Sequence, residues 1–211
     1  MGDIDRLIAA ARRAEAHSVV SIALELLAAA ARDPGLLPLN AHPVGFAHAK
    51  LGDFDGCTVR LHIWPTPPIA PQDPPWLVHR HAWALTSYVV KGSVSNELFS
   101  VSASQGGDHL LYEVGYNDGE SVMTATSMRV RCTLSSSEQI TEGNRYTVPP
   151  DAFHCTVAVG TEPTATIAVT GKPSGPPPLV VGTPAPNLEY RFRRRVINKK
   201  AAQAIFASVC A

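Results

Sequence analysis

The stretch 77–92, LVHRHAWALTSYVVKG, decides how the rest of the chain is read. Two histidines, His79 and His81, stand one residue apart, just ahead of a β-rich run that ends in glycine. In an extended strand, residues i and i+2 face the same way, so both imidazoles aim at one point. The run that follows, Leu85-Thr86-Ser87-Tyr88-Val89-Val90, is rich in β-branched and aromatic residues, and Lys91-Gly92 is a turn signal.

Outward from this stretch, strands are predicted at 57–64, 84–91, 94–102, 109–116, 121–133, 145–148, 153–159 and 164–170. Turn signals separate them at Gln105-Gly106-Gly107, Asn117-Asp118-Gly119, Glu142-Gly143-Asn144 and Val159-Gly160. Short, regularly spaced strands with no helix between them argue for an antiparallel sandwich or barrel. Residues 3–32 differ. Ala, Leu, Ile, Arg and Glu dominate, no Pro or Gly interrupts, and Ile4, Leu7, Ile8 and Ala11 recur at helical spacing. Either Ser18 caps a second helix or the two are continuous, and Asp33-Pro34-Gly35 stops the pattern. Residues 173–186 read as an extended Pro/Gly-rich loop and 199–208 as a short helix. The expected division is a helical segment 1–40 packed on a β-barrel 41–172, then a Pro-rich extension 173–211 with a C-terminal strand or helix.

The chain has 211 residues, enough for one domain with a substantial core. Lys+Arg and Asp+Glu both number 18, so no polyanionic partner is implied. The basic run Arg191-Phe192-Arg193-Arg194-Arg195 reads as a solvated or packed strand edge rather than a nucleic-acid patch. Four cysteines without a CxxC pair argue against a zinc ribbon. The opening Met1-Gly2-Asp3-Ile4-Asp5 is acidic and polar, unlike a signal peptide, and no apolar run is long enough to span a bilayer. The expectation is a cytoplasmic protein with reduced thiols, a small-molecule substrate, and neither nucleic-acid nor membrane partner.

A metal needs more than two protein ligands to be held well. The third candidate is His154, in Tyr146-Thr147-Val148-Pro149-Pro150-Asp151-Ala152-Phe153-His154, where a strand, a Pro-rich turn and a second strand bring a histidine inward. Cys155 points away from such a centre in a regular strand and reads as an inert buried thiol. Arg60, His62 and Trp64 share one face of strand 57–64. If that face is inward, Arg60 would bind an anionic substrate and His62 would serve as acid/base; if outward, both are solvated. Leu85 is expected to line the cavity, whereas Tyr88 lies an odd count from His81 and reads as core or surface. Tyr112, Tyr116, Met123 and Met128 read as core. His17, His42 and His109 read as structural or surface residues, with substrate contact left open for His48. Glu97 lies on the next strand, a stray carboxylate rather than a ligand.

In spacing and order these residues resemble the cupin superfamily, over roughly residues 44–172. Its first motif, G(x)5HxH(x)3–4E(x)6G, matches at His79, His81 and Gly92, with Asp73 in the leading glycine slot and Leu85 where a glutamate ligand is usual. Its second, G(x)5PxG(x)2H(x)3N, matches at Gly143, Pro149 and His154, with Asp151 and Ala158 in the glycine and asparagine slots. The resemblance implies a mainly β fold, a double-stranded β-helix or jelly-roll barrel with N-terminal α-helices, and homodimers are common in that superfamily. HxH without the glutamate is similar to the three-histidine branch, whose best-known members are thiol dioxygenases such as cysteine dioxygenase. Leu85 stands where a crosslinking cysteine can occur, 166–170 lacks the Ser-His-Tyr pattern, and His48 lies nearest the carboxylate-anchoring arginine position, which speaks against cysteine as substrate.

The resemblance implies His79, His81 and His154 as ligands and Fe(II) as the leading metal, with Zn, Ni or Cu as alternatives; Arg60 and His62 are the catalytic candidates if their strand face is inward. Three neutral imidazoles leave the metal its full 2+ charge and open positions, but imidazole suits all four metals. The expected function is a non-haem Fe(II) dioxygenase or oxidase of a small polar molecule. The alternatives are a non-redox Zn or Ni isomerase, cyclase or lyase, and a non-catalytic small-molecule-binding cupin.

Overall fold

The computed structural model describes residues 2–117, 120–185 and 187–211. The turn expected at 117–119 falls on Asp118 and Gly119, outside the described residues. Two helices, α1 (Asp3–Arg12) and α2 (Ala16–Arg32), open the chain. Strands β1 (Asn40–Ala41), β2 (Ala47–Phe54), β3 (Cys57–Trp64), β4 (His79–Arg80), β5 (Leu85–Lys91), β6 (Ser93–Ala103) and β7 (His109–Asn117) follow. Next come β8 (Glu120–Thr141), β9 (Arg145–Val148), β10 (Phe153–Ala158), β11 (Thr164–Thr170), β12 (Leu179–Gly182), β13 (Glu189–Arg193) and β14 (Arg195–Val196), and α3 (Lys199–Cys210) closes the chain.

The strands form two antiparallel sheets, ordered β14-β1-β2-β3-β11-β5-β9 and β13-β8-β6-β10-β4-β12-β7. With helices at both ends, this is the mainly β architecture expected of a cupin-like sandwich or barrel. In the second sheet β8 pairs with β6 along 130–141 and with β7 along 120–130. The ladder β6-β10-β4-β12-β7-β8 therefore returns to β6. That pairing carries β8 past its expected end at 133, through the polar run Leu134-Ser135-Ser136-Ser137-Glu138-Gln139. Its backbone groups find partners on β6 whatever the side chains are.

Neither strand β2 nor the turn after it was among the predicted elements. Asp55 and Gly56 both adopt positive φ, 49° and 80°, and Phe54 pairs with Cys57. This is the two-residue hairpin that an Asp-Gly pair favours. Gly92 links β5 to β6 at φ 73°, where a Cβ would come within 2.5 Å of Thr164 Oγ1. The segment 173–186, read as a loop, contains β12, and the rest of the extension supplies β13 to the same sheet and β14 to the other. The 3–32 pattern breaks at Arg13-Ala14-Glu15, with Ala14 at φ 55°. The second helix begins at Ala16, so Ser18 lies inside it rather than at its cap.

The largest core lies between the helices and the outer face of the first sheet. Leu7, Val19, Leu26, Leu27 and Phe206 pack there against Ala49, Val59, Leu61, Ile63, Tyr88 and Ile167. Each large apolar side chain buried this way contributes about 1.5–3 kcal/mol. Tyr88 is thus a core residue on the helix side. The packing also settles the direction of β3. With Val59, Leu61 and Ile63 turned to the helices, alternation turns Arg60, His62 and Trp64 into the space between the sheets. Among the described residues no helix is long and apolar enough to cross a membrane.

Candidate metal centre and its cavity

His79 and His154 are direct cross-strand neighbours on β4 and β10, and His81 follows two residues after His79. One ligating atom from each of the three lies within 4.8 Å of the others. Ring centroids are 4.7 Å apart for His79–His81, 4.7 Å for His79–His154 and 5.1 Å for His81–His154. At metal–nitrogen bonds of about 2.1 Å, small ring rotations close the three onto one ion. These are the three residues that the HxH pattern and the Pro-rich turn single out.

The backs of the rings are anchored. His79 Nδ1 donates to the Leu77 carbonyl at 2.6 Å, which leaves the Nε2 lone pair free. His154 Nδ1 donates to Asn96 Oδ1 at 3.3 Å. Asn96 Oδ1 also accepts from Thr156 Oγ1 at 3.1 Å, and Thr156 in turn accepts from Tyr146 Oη at 3.2 Å. His154 Nε2 is fully buried and has no hydrogen-bond partner among the described residues. An anchored Nδ1 and a bare Nε2 is the tautomer that metal-ligating histidines adopt, so the donor set fits a divalent ion. Burial, the largest cause in each case, holds all three imidazoles below their ordinary pKa and therefore neutral.

The cluster opens on a cavity of about 370 Å³ between the sheets, within the range of small-molecule sites. Its opposite wall comes from the first sheet. Arg60 and His62 line it as the inward reading required, together with His48, Trp64 and Leu85. Arg60 donates to Thr170 Oγ1 at 2.8 Å. Burial depresses His62 to about 3 and His48 to about 4, so neither carries charge at neutral pH. His48 is 6% exposed, and its Nε2 lacks a partner among the described residues.

Other sequence readings sort as follows. Cys155 is buried, outside the ligand cluster, and donates to Glu97 Oε2 at 3.4 Å. Burial first, then Glu97, raise its thiol to about 12. Glu97 is accordingly that thiol's acceptor and not a ligand. Tyr112 and Met123 are core, whereas Met128 and Tyr116 are exposed, and Tyr116 borders the cavity. His17 is exposed. His42 is not a bystander: it stacks on Phe46 at 4.3 Å and lines the cavity.

Two functional candidates escaped the sequence reading. Asn96 carries no signal of its own beyond its place four residues after Gly92. Arg194 sat in a basic run that reads as a surface edge, yet it lines the cavity.

No protein-family profile matches the chain, and no curated protein matches it. Among solved structures it is similar to the crystal structure of Peruvianin-I, a cysteine peptidase from Thevetia peruviana latex. The TM-score is 0.38 at 14% identity, covering 70% of this chain and 73% of that one. At that TM-score the likeness carries no argument.

Proposed function

We propose that the chain is a mononuclear metal-dependent cupin enzyme, a non-haem Fe(II) dioxygenase or oxidase of a small polar molecule. The observation that carries this reading is the His79–His81–His154 cluster, with anchored Nδ1 atoms on His79 and His154 and a buried, unpartnered His154 Nε2. An Fe(II) ion held there would keep its full charge and open positions for dioxygen and substrate side by side; Zn or Ni would act as a Lewis acid. The chain's own residues bind, orient and shield. Arg60 offers charged donors to the substrate, and neutral His62 can accept a proton beside it. Trp64, Trp83 and Leu85 narrow the cavity and limit water.

The test is elemental analysis of protein reconstituted with Fe(II), Zn or Ni, followed by oxygen uptake with candidate substrates. Stoichiometric iron with substrate-dependent oxygen consumption, lost in His154→Ala, is the expected result. Turnover with Zn or Ni and no oxygen uptake would select the isomerase, cyclase or lyase reading. Failure to take up any metal would leave a binding cupin.

A further inference from the structure

The cavity's charge is unbalanced. Its lining contains two guanidinium groups, Arg60 and Arg194, and no aspartate or glutamate. Burial keeps the histidines around it neutral, so they neither add to this charge nor offset it. Arg60 is half-buried, and its described side-chain bond to Thr170 uses one of five donors. Arg194 stands alone between β13, which pairs in one sheet, and β14, which pairs in the other. It therefore sits where the chain crosses from sheet to sheet at the cavity edge. Its neighbours behave differently. Arg191 pairs with Glu189 at 2.8 Å and with Glu120, and Arg193 pairs with Glu120. Among the described residues, Arg194 and Arg60 form no ion pair.

Arg194 is exposed at the cavity edge and Arg60 is half-buried, so an anion entering the cavity would meet two guanidinium groups with no acidic partner. A metal ion on the opposite wall would add positive charge. Beside Arg60, the buried, neutral His48 lines the same space. Phe46 and Trp64, with ring centroids 5.1 Å apart and planes tilted by 40°, supply an aromatic flank. We infer that the cavity takes a small organic anion with an apolar body, its carboxylate, sulfonate or phosphonate head held by Arg60, with Arg194 reaching it from the cavity edge. Arginine suits this because its planar fork pairs with acidic oxygens two at a time. The inference deepens the proposed metal-enzyme reading, and its catalytic meaning rests on that reading.

The experiment is calorimetric titration of the metal-free and the zinc-loaded full chain. The ligands are benzoate, benzenesulfonate and phenylphosphonate, with benzamide as the neutral comparison. At least one anion should bind tenfold or more tighter than benzamide, with and without metal. Arg60→Gln should abolish that preference, and Arg194→Gln should reduce it three- to tenfold. Arg191→Gln, whose guanidinium is already paired, should leave it unchanged. Circular dichroism and thermal unfolding check that each variant is folded. Equal binding of anions and benzamide overturns the inference. So does an undiminished preference in Arg60→Gln, or an equal loss in Arg191→Gln. Metal content of the same samples separates the two proposals. Anion preference in protein that takes no metal removes the enzyme reading and leaves this one, whereas stoichiometric metal without anion preference does the reverse.

Discussion

The two walls of the cavity both carry histidines, but they hold them differently. On the β4–β10 wall, His79 and His154 have one nitrogen tied to a carbonyl oxygen, from Leu77 and Asn96 respectively. On the β2–β3 wall, His48 and His62 face each other across the ladder, and among the described residues neither has such an anchor and His48 Nε2 has no partner. The first arrangement orients lone pairs at one point, which a metal requires. The second leaves polar atoms and the Arg60 guanidinium available to whatever enters. The difference teaches that residue type alone does not define the centre: hydrogen bonds fix the rings of His79 and His154, and His81 joins them through its place two residues after His79.

The largest effect tests the anchored wall. His154→Ala should reduce bound metal from near one equivalent to less than a tenth, measured by elemental analysis after reconstitution, while His48→Ala leaves the stoichiometry unchanged. Equal losses in both variants would erase the distinction between the walls. A smaller step probes the anchor itself. Asn96→Ala should weaken metal affinity about 10- to 100-fold in a competition titration, and Asn96→Asp, which keeps an acceptor, should recover much of it. An Asn96→Ala protein with wild-type affinity would show that the hydrogen bond to His154 orients nothing.

The unanchored wall makes its own prediction. His48 and His62 are neutral in the folded state, with pKa values of about 4 and about 3, whereas an unfolded histidine titrates near 6.5. Below 6.5 the unfolded chain therefore binds more protons. The stability these groups contribute is present above pH 6.5 and is lost as the pH falls toward 4 for His48 and 3 for His62. Each should add on the order of 1 kcal/mol per pH unit to the slope of stability against pH in that window. Denaturant melts of His48→Gln plus His62→Gln should show a shallower slope than wild type, and an unchanged slope would mean that this wall is hydrated enough to titrate normally. The smallest effect concerns Cys155, beside His154 on the anchored wall. With its thiol raised to about 12, it should be the last of the four cysteines alkylated at pH 8, read by mass spectrometry. Early labelling would mean that the wall opens readily.

How much of this was legible follows from the range of the signals. His79 and His81 are two residues apart, and His154 follows a glycine, a strand and a Pro-rich turn, so local spacing exposed all three. Asn96 was not legible, because its value depends on the pairing of β6 with β10, which sets it near His154. Arg194 was hidden for a similar reason: it is one of four arginines in a run, and only the crossing between sheets separates it from its salt-bridged neighbours. Strand β8 outran its prediction because backbone pairing with β6 continues through residues whose side chains favour no strand.

Alternation along β3 determined that Arg60, His62 and Trp64 share a face, since successive side chains of a strand must oppose each other. It could not determine which face was inward, because the apolar residues Val59, Leu61 and Ile63 are as well suited to a barrel interior as to a helical cover. The sequence by itself determined most of the strands between residues 57 and 170, most of the turns, the helical ends and the three clustered histidines, all products of steric and hydrophobic rules acting over a few residues. The tertiary structure alone decided that α1, α2 and α3 cover the apolar face of the first sheet. Burying that face against the helices turned the polar one inward and placed an arginine–histidine wall opposite the histidine cluster.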